Sequence, residues 1–127
     1  MTESRRILVI DDDEGIREVA HASLELVGGH DVTTAGSGAE GLEVSSRNPP
    51  DVILLDVMMP GLDGPATFAR LRQNTATRDV PVLLLTAKAQ ETDRRRFADL
   101  GVDGVLTKPF DPLSLPEQVA ELLGWDP

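Results

Sequence analysis

Three stretches of the chain are apolar at consecutive rather than alternating positions: Ile7-Leu8-Val9-Ile10, Val52-Ile53-Leu54-Leu55 and Val82-Leu83-Leu84-Leu85. Short runs of this kind predict strands buried on both faces, the pattern of a parallel sheet clothed by helices. Gly104-Val105-Leu106-Thr107 adds a shorter strand, and the more polar Asp31 to Ala35 is placed at a sheet edge. Between these runs the period changes to that of a helix. Ile16, Val19, Ala20, Leu24 and Val27 form one stripe, stopped by Gly28-Gly29. Ser37 caps a weak helix through about Arg47, closed by Pro49-Pro50. Pro65 to Gln73 turns Phe68 and Leu71 inward. Glu91 to Leu100 is thinly apolar, relying on Phe97 and Leu100, and ends at Gly101. Ser114 and Glu117 read as a capping box ahead of a last helix with Leu115, Val119, Leu122 and Leu123 on one face. Strand and helix alternate five times, so the prediction is a doubly wound α/β domain: a parallel sheet, right-handed crossovers, and helices on both sides.

Composition narrows the functional classes. At 127 residues the chain is long enough to bury a core as one domain, and residues 1–127 are expected to be a single domain without an output domain. There is no cysteine, no membrane-length apolar run and no signal-peptide core, so a cytoplasmic protein is expected. A net charge of −10 and 3% aromatic residues argue against a basic nucleic-acid face and against base stacking. Arg94-Arg95-Arg96 is the one basic cluster in this acidic chain and a candidate contact for a protein partner.

The informative residues stand at the strand ends. Asp11 and Asp12 follow the first strand, Asp56 ends the third, Thr86 ends the fourth, and Lys108 follows the fifth. The carboxyl ends of parallel strands share one edge, where open α/β sheets place their ligand crevice. Pro60-Gly61 and Gly64 turn the chain directly after Asp56 and keep it at that edge. Three carboxylates in one crevice repel one another, which raises at least one pKa unless a cation compensates. Mg²⁺, a hard ion suited to one or two carboxylates plus waters, is the natural compensator. With no cysteine, and with His21 and His30 on and just beyond the first helix, a soft-metal site is not supported. A metal beside a carboxylate, with a lysine and a hydroxyl opposite, points to phosphoryl chemistry, in which an exposed aspartate can itself be the nucleophile. Each residue also has an ordinary role open to it: Asp12 or Asp13 as a helix cap, Thr86 as a strand-end cap, Lys108 as a solvated lysine. Four such coincidences on one edge are less probable than any one of them.

Four motifs occur in order over the whole chain: Val9-Ile10-Asp11-Asp12-Asp13, Asp56-Val57-Met58-Met59-Pro60 with Gly64, Thr86-Ala87, and Lys108-Pro109-Phe110. With them the chain resembles the receiver domain of two-component response regulators. The resemblance implies a flavodoxin-like sheet of order 2-1-3-4-5 and a cis Lys108–Pro109 bond. It implies Asp56 as phosphoacceptor, Asp12 as direct Mg²⁺ ligand, Asp11 as its water-bridged neighbour, and the Met58 carbonyl as a further ligand. Thr86 would sense the phosphoryl group and Lys108 would pair with it, while the Met58 and Ala87 N–H groups face its oxygens. The implied function is a switch that takes a phosphoryl group from a histidine kinase or histidine phosphotransfer protein. Its phosphorylation and dephosphorylation would be self-catalysed, altering its binding to a downstream protein, as a monomer or weak dimer without membrane or nucleic-acid contact. The sequence departs from the family at Val105, where Tyr or Phe is usual, so a relay through residues 87–93 is expected in place of an aromatic rotation. Two rival readings use the same residues. A Mg²⁺-dependent phosphatase working through an aspartyl-phosphate, as in the haloacid dehalogenase family, usually needs a second acid two residues on, and that position is Met58. A pseudo-receiver that only binds a partner predicts a damaged acidic pocket, whereas this one is whole.

Overall fold

The computed structural model describes residues 3–87 and 91–125, with Glu91 and Thr92 described by backbone alone. Residues 88–90, within the expected relay, lie outside that set. Among the described residues, five strands form one parallel sheet in the order β2-β1-β3-β4-β5: β1 Arg6–Ile10, β2 Asp31–Ala35, β3 Val52–Asp56, β4 Val82–Thr86 and β5 Gly104–Thr107. They alternate with α1 Glu14–Ala22, α2 Gly38–Arg47, α3 Gly64–Gln73, α4 Glu91–Asp99 and α5 Leu115–Leu123. The continuous apolar runs are explained by two cores. Successive strand residues point to opposite faces: Ile53, Leu55 and Leu84 pack with Phe68, Leu71 and Phe97, while Leu54, Leu83 and Leu85 pack with Ala20, Leu24, Leu115 and Val119. All five residues of β3 and of β4 are buried, and full burial of each such leucine or valine contributes about 1.5–3 kcal/mol.

Side-chain caps start three helices. Asp13 accepts from the Ile16 N–H at 3.2 Å, Ser37 from Glu40 at 3.1 Å, and Asp63 from Ala66 at 2.9 Å. The capping box foreseen at Ser114 is absent, because Ser114 has helical φ and ψ of −107° and −8° and makes no side-chain cap bond. Asp111 serves instead, its carboxylate accepting from Leu113 at 2.9 Å and its carbonyl from Ser114 and Leu115.

The stripe on the first helix also needs correcting. Ala20 and Leu24 are fully buried, but Val19 and Val27 are 44% and 52% exposed. α1 runs into a π-helical turn, Ser23–Val27, whose wider period moves Leu26 and Val27 out of the phase set by a 3.6-residue repeat. Val19 lies on the flank beside Pro109 and Phe110. Leu100 and Leu122 are partly exposed rather than inward. Leu122 covers Gly104, where an added Cβ would lie 3.0 Å from its methyl.

The amino-terminal edge of the sheet is closed by Arg5, His30 and Trp125. The His30 Nδ1 accepts the Arg5 N–H at 3.0 Å, the His30 and Trp125 rings lie 5.6 Å apart, and the Arg5 guanidinium sits 4.9 Å over the indole. Burial, reinforced by the Arg5 charge and opposed by Asp51, pushes the imidazole below its ordinary pKa. The unfolded chain therefore takes up this proton at higher pH than the folded one. Stability from this source is intact above roughly pH 6.5 and declines as pH falls below it, when a proton on Nδ1 breaks the Arg5 bond. Urea unfolding at about pH 7.5 and 5.5 is expected to show a larger loss in the parent than in His30→Gln. Equal losses would remove His30 from the account.

Candidate functional site

Register delivers the acids to one place. Ile10 of β1 pairs with Leu55 of β3, so the residues that follow them, Asp11 and Asp56, emerge side by side at the carboxyl edge. Asp56 in turn pairs with Leu85, bringing Thr86 alongside, and Thr86 pairs with Thr107, the residue before Lys108. Asp11, Asp56 and Thr86 are buried, whereas Asp12 is exposed at the mouth. Each of the three aspartates places a carboxylate oxygen within 4.8 Å of the others. The Lys108 ammonium bridges two of them, 2.9 Å from Asp56 Oδ1 and 2.7 Å from Asp11 Oδ2.

The electrostatics follow from this crowding. Burial raises the Asp56 pKa; the Lys108 hydrogen bond and charge oppose the rise, and Asp11 and Asp12 add to it. For Lys108, burial favours the neutral amine, but Asp11 and Asp56 outweigh it and hold the ammonium above its ordinary value. Asp11 Oδ2 is buried, and the Lys108 ammonium 2.7 Å away is its counter-charge. One ammonium facing three clustered carboxylates leaves negative charge uncompensated, which suits the site to a further cation.

The backbone around the site is held at defined points. Asp11 Oδ1 accepts from the Asp13 N–H at 2.9 Å, and the Asp11 carbonyl accepts from Arg17 Nη1 at 2.8 Å. Arg17 had no signal in the sequence beyond lying on the first helix. Asp13 caps α1 and belongs to its frame, so of the two cap candidates it is Asp13 that takes this role. The Lys108 N–H donates to the Thr86 carbonyl at 2.8 Å, and the Lys108–Pro109 bond is cis. Met58 is exposed on the loop after β3.

Gly64 lets that loop close. Its N–H donates to the Val57 carbonyl at 2.9 Å, and a Cβ at this position would stand 2.5 Å from the Asp56 carbonyl oxygen and 2.7 Å from Val57 Cα. Both obstacles are backbone, so an added methyl displaces the turn that carries Asp56. Gly64→Ala is expected to lose about 2–3 kcal/mol in urea unfolding. A variant within about 0.5 kcal/mol of the parent would show that the loop yields freely.

Comparison with known proteins adds an independent line. A family model described as the response regulator receiver domain matches residues 7–120. The chain is 42% identical over 118 residues to the DNA-binding dual master transcriptional regulator RpaA of Synechocystis sp., covering 93% of this chain and 48% of that protein. It is 41% identical over 120 residues to the alkaline phosphatase synthesis transcriptional regulatory protein PhoP of Bacillus subtilis, with 94% and 49% covered. The chain thus spans about half the length of the curated relatives it matches. Among solved structures, the chemotaxis response regulator CheY4 of Vibrio cholerae superposes with a TM-score of 0.87 at 28% identity, covering 94% and 99% of the two chains. The receiver domain of a sensor histidine kinase from Pseudomonas aeruginosa, solved with a magnesium ion coordinated in its active-site cleft, gives 0.83 at 30% identity, covering 96% and 99%.

Proposed function

The chain belongs to the response regulator receiver domain family, phosphorylation-dependent signalling switches, and we propose that it takes its phosphoryl group on Asp56 from a histidine kinase or histidine phosphotransfer protein. The observation that carries this reading is the Asp56 carboxylate at the end of the central buried strand, paired to Lys108 and clustered with Asp11 and Asp12. An Asp56 oxygen attacks phosphorus; the new O–P bond forms as the donor's N–P bond breaks, and that electron pair leaves on the imidazole nitrogen. Lys108 then meets the phosphoryl oxygens with its ammonium, and the Thr86 hydroxyl donates to one of them, a charge-assisted bond. The Met58 and Ala87 N–H groups face the remaining oxygens.

The donor set fits Mg²⁺, since all three side chains offer hard oxygen ligands within 4.8 Å of one another and Lys108 alone balances their charge only in part. Asp12 would hold the ion directly and Asp11 through water, with Asp56 and the Met58 carbonyl completing the protein ligands. When bound, the ion neutralises phosphoryl charge and offsets the repulsion among the carboxylates.

This reading makes the chain a signalling module with self-catalysed phosphorylation and dephosphorylation, not a metabolic enzyme. Residues 1–127 act in it as one receiver unit. Ile16, Val19, Pro109 and Phe110 form an apolar flank beside Lys108 that suits a docking donor. Arg94 and Arg96 are exposed on α4, where they are available to a downstream protein across the α4-β5-α5 face; Arg96 also pairs with Asp93 at 3.6 Å. No described helix is long and apolar enough to cross a membrane. The cysteine-free sequence suits a reducing compartment, and the proposed one is the cytoplasm. The test is incubation with acetyl phosphate and Mg²⁺ followed by intact mass. One added phosphoryl group is expected, and an unmodified chain would refute the proposal.

Signal export at Val105 follows the same reading. Val105 pairs with Leu84, which puts it on the sheet face of Thr86, two residue pairs further from the edge. Its branched side chain packs partly buried against that core and is restricted largely to one rotamer, so it cannot swing to fill space that Thr86 vacates. Val105→Ala is expected to leave the phosphorylation-dependent gain in partner affinity within about twofold, because coupling of about 1–3 kcal/mol is supplied elsewhere. Loss of that gain with unchanged basal affinity would make Val105 the relay.

A further inference from the structure

The amino-terminal edge of the sheet, opposite the Asp56 crevice, carries a groove that phosphoryl transfer does not use. It runs between the end of α1 and α5, is lined by the apolar Val27, Leu113 and Trp125 and the acidic Glu117 and Glu121, and has a volume of about 480 Å³. That is within the range of roughly 300–1,000 Å³ typical of built binding pockets. Two features make it more than a surface irregularity. First, the π-helical turn Ser23–Val27 leaves Val27 outward, where it lines the groove together with Leu113, two large apolar side chains with 52% and 75% exposure on neighbouring elements. The Ser23 hydroxyl donates to the Pro112 carbonyl and fixes this turn against the loop that leads into α5. Clustered exposed apolar residues of this kind mark interaction sites. Second, Glu117 and Glu121 lie one turn apart on α5, both exposed and without an ion pair among the described residues. A like-charged pair at that spacing disfavours the helix unless something cationic meets it.

We propose that this groove docks a cationic amphipathic helix of a partner protein, its apolar anchors seated over Val27, Leu113 and Trp125 and its lysines or arginines paired with Glu117 and Glu121. Charge decides among the occupants. A second copy meeting this one through the same groove would set Glu117 and Glu121 against their own counterparts, and nucleic acid or an anionic membrane would likewise bring negative charge to them. A helix with anchors at i, i+3, i+4 and i+7 and basic flanks matches both the apolar and the acidic residues that line the groove. None of Asp11, Asp12, Asp56, Thr86 and Lys108 lines the groove, so the proposed interaction is with the unphosphorylated chain.

The experiment uses two synthetic helices with the same leucine spacing, one filled with lysine and one with glutamate. Each is titrated by calorimetry into the unphosphorylated chain and followed by the emission of Trp125, the only tryptophan. The lysine helix is expected to bind and shift Trp125 emission, while the glutamate helix does neither. Glu117→Gln with Glu121→Gln should weaken the lysine helix about tenfold at low salt, and the same charge change made at Glu43→Gln and Asp79→Asn should stay within about twofold. Leu113→Ser, at an exposed position where the fold is not at risk, should cost about fivefold. Equal weakening by the two charge variants would reduce the effect to general acidity and overturn the proposal. So would binding of the glutamate helix, absence of a Trp125 shift, or sedimentation showing self-association that excludes the peptide.

Discussion

Asp56→Asn is expected to end phosphoryl uptake completely while leaving the fold in place. The amide matches the carboxylate in shape, so β3 and the Gly64 turn have no reason to move, but it offers no anionic oxygen to phosphorus. Folding should not suffer. The folded state already disfavours charge on Asp56, because burial and the neighbouring Asp11 raise its pKa despite Lys108. Removing that charge relieves repulsion inside the crevice, so the urea midpoint of Asp56→Asn should equal or exceed that of the parent. A parent-like yield of phosphoprotein from this variant would exclude Asp56 as the acceptor, and a large loss of stability would mean that the carboxylate also serves a structural purpose.

Lys108→Ala should act on both stability and chemistry. The ammonium is largely buried and lies within 2.9 Å of both Asp11 and Asp56, so its removal leaves two buried carboxylates without a counter-charge. Breaking one side of a buried pair costs about 3–5 kcal/mol. Saturating Mg²⁺ should return part of this loss, since anything that binds only the folded state stabilises it. Phosphoryl uptake should slow about 100-fold, the usual cost of losing one preorganised charge from a group-transfer site. Urea unfolding with and without Mg²⁺, together with an intact-mass time course, measures both effects. A variant with parental stability in chelator would show that Lys108 does not bridge the acids in solution.

The fold was readable because burial on both faces leaves an unambiguous mark. Ile53 and Leu54 point to opposite cores, so neither position tolerates a polar residue, and the strand appears as an unbroken apolar run. The site was readable for a related reason: parallel strands share an edge, so Asp11, Asp12, Asp56, Thr86 and Lys108 had to meet there if the strands existed at all. Misplaced residues were those governed by local geometry rather than by period. Val27 escaped the stripe because a π turn changes the angle per residue, and no residue type announces such a turn. Ser114 lost the cap because its own backbone is already helical, in a turn that Asp111 opens from the preceding loop. The Arg17 contact with the Asp11 carbonyl and the approach of Gly64 to the Asp56 carbonyl are tertiary, set by how α1 and the β3–α3 loop sit on the sheet.

The central claim is that the three aspartates and Lys108 form a Mg²⁺-dependent aspartyl phosphorylation site. It is tested most directly by treating the parent chain with acetyl phosphate, in Mg²⁺ and in chelator, trapping the acyl phosphate by borohydride reduction and mapping the reduced residue by peptide mass. The account predicts a single modified residue, Asp56, labelled in Mg²⁺ and hardly at all in chelator. Label on Asp11 or Asp12, or equal labelling of Asp56 with and without the metal, would contradict it.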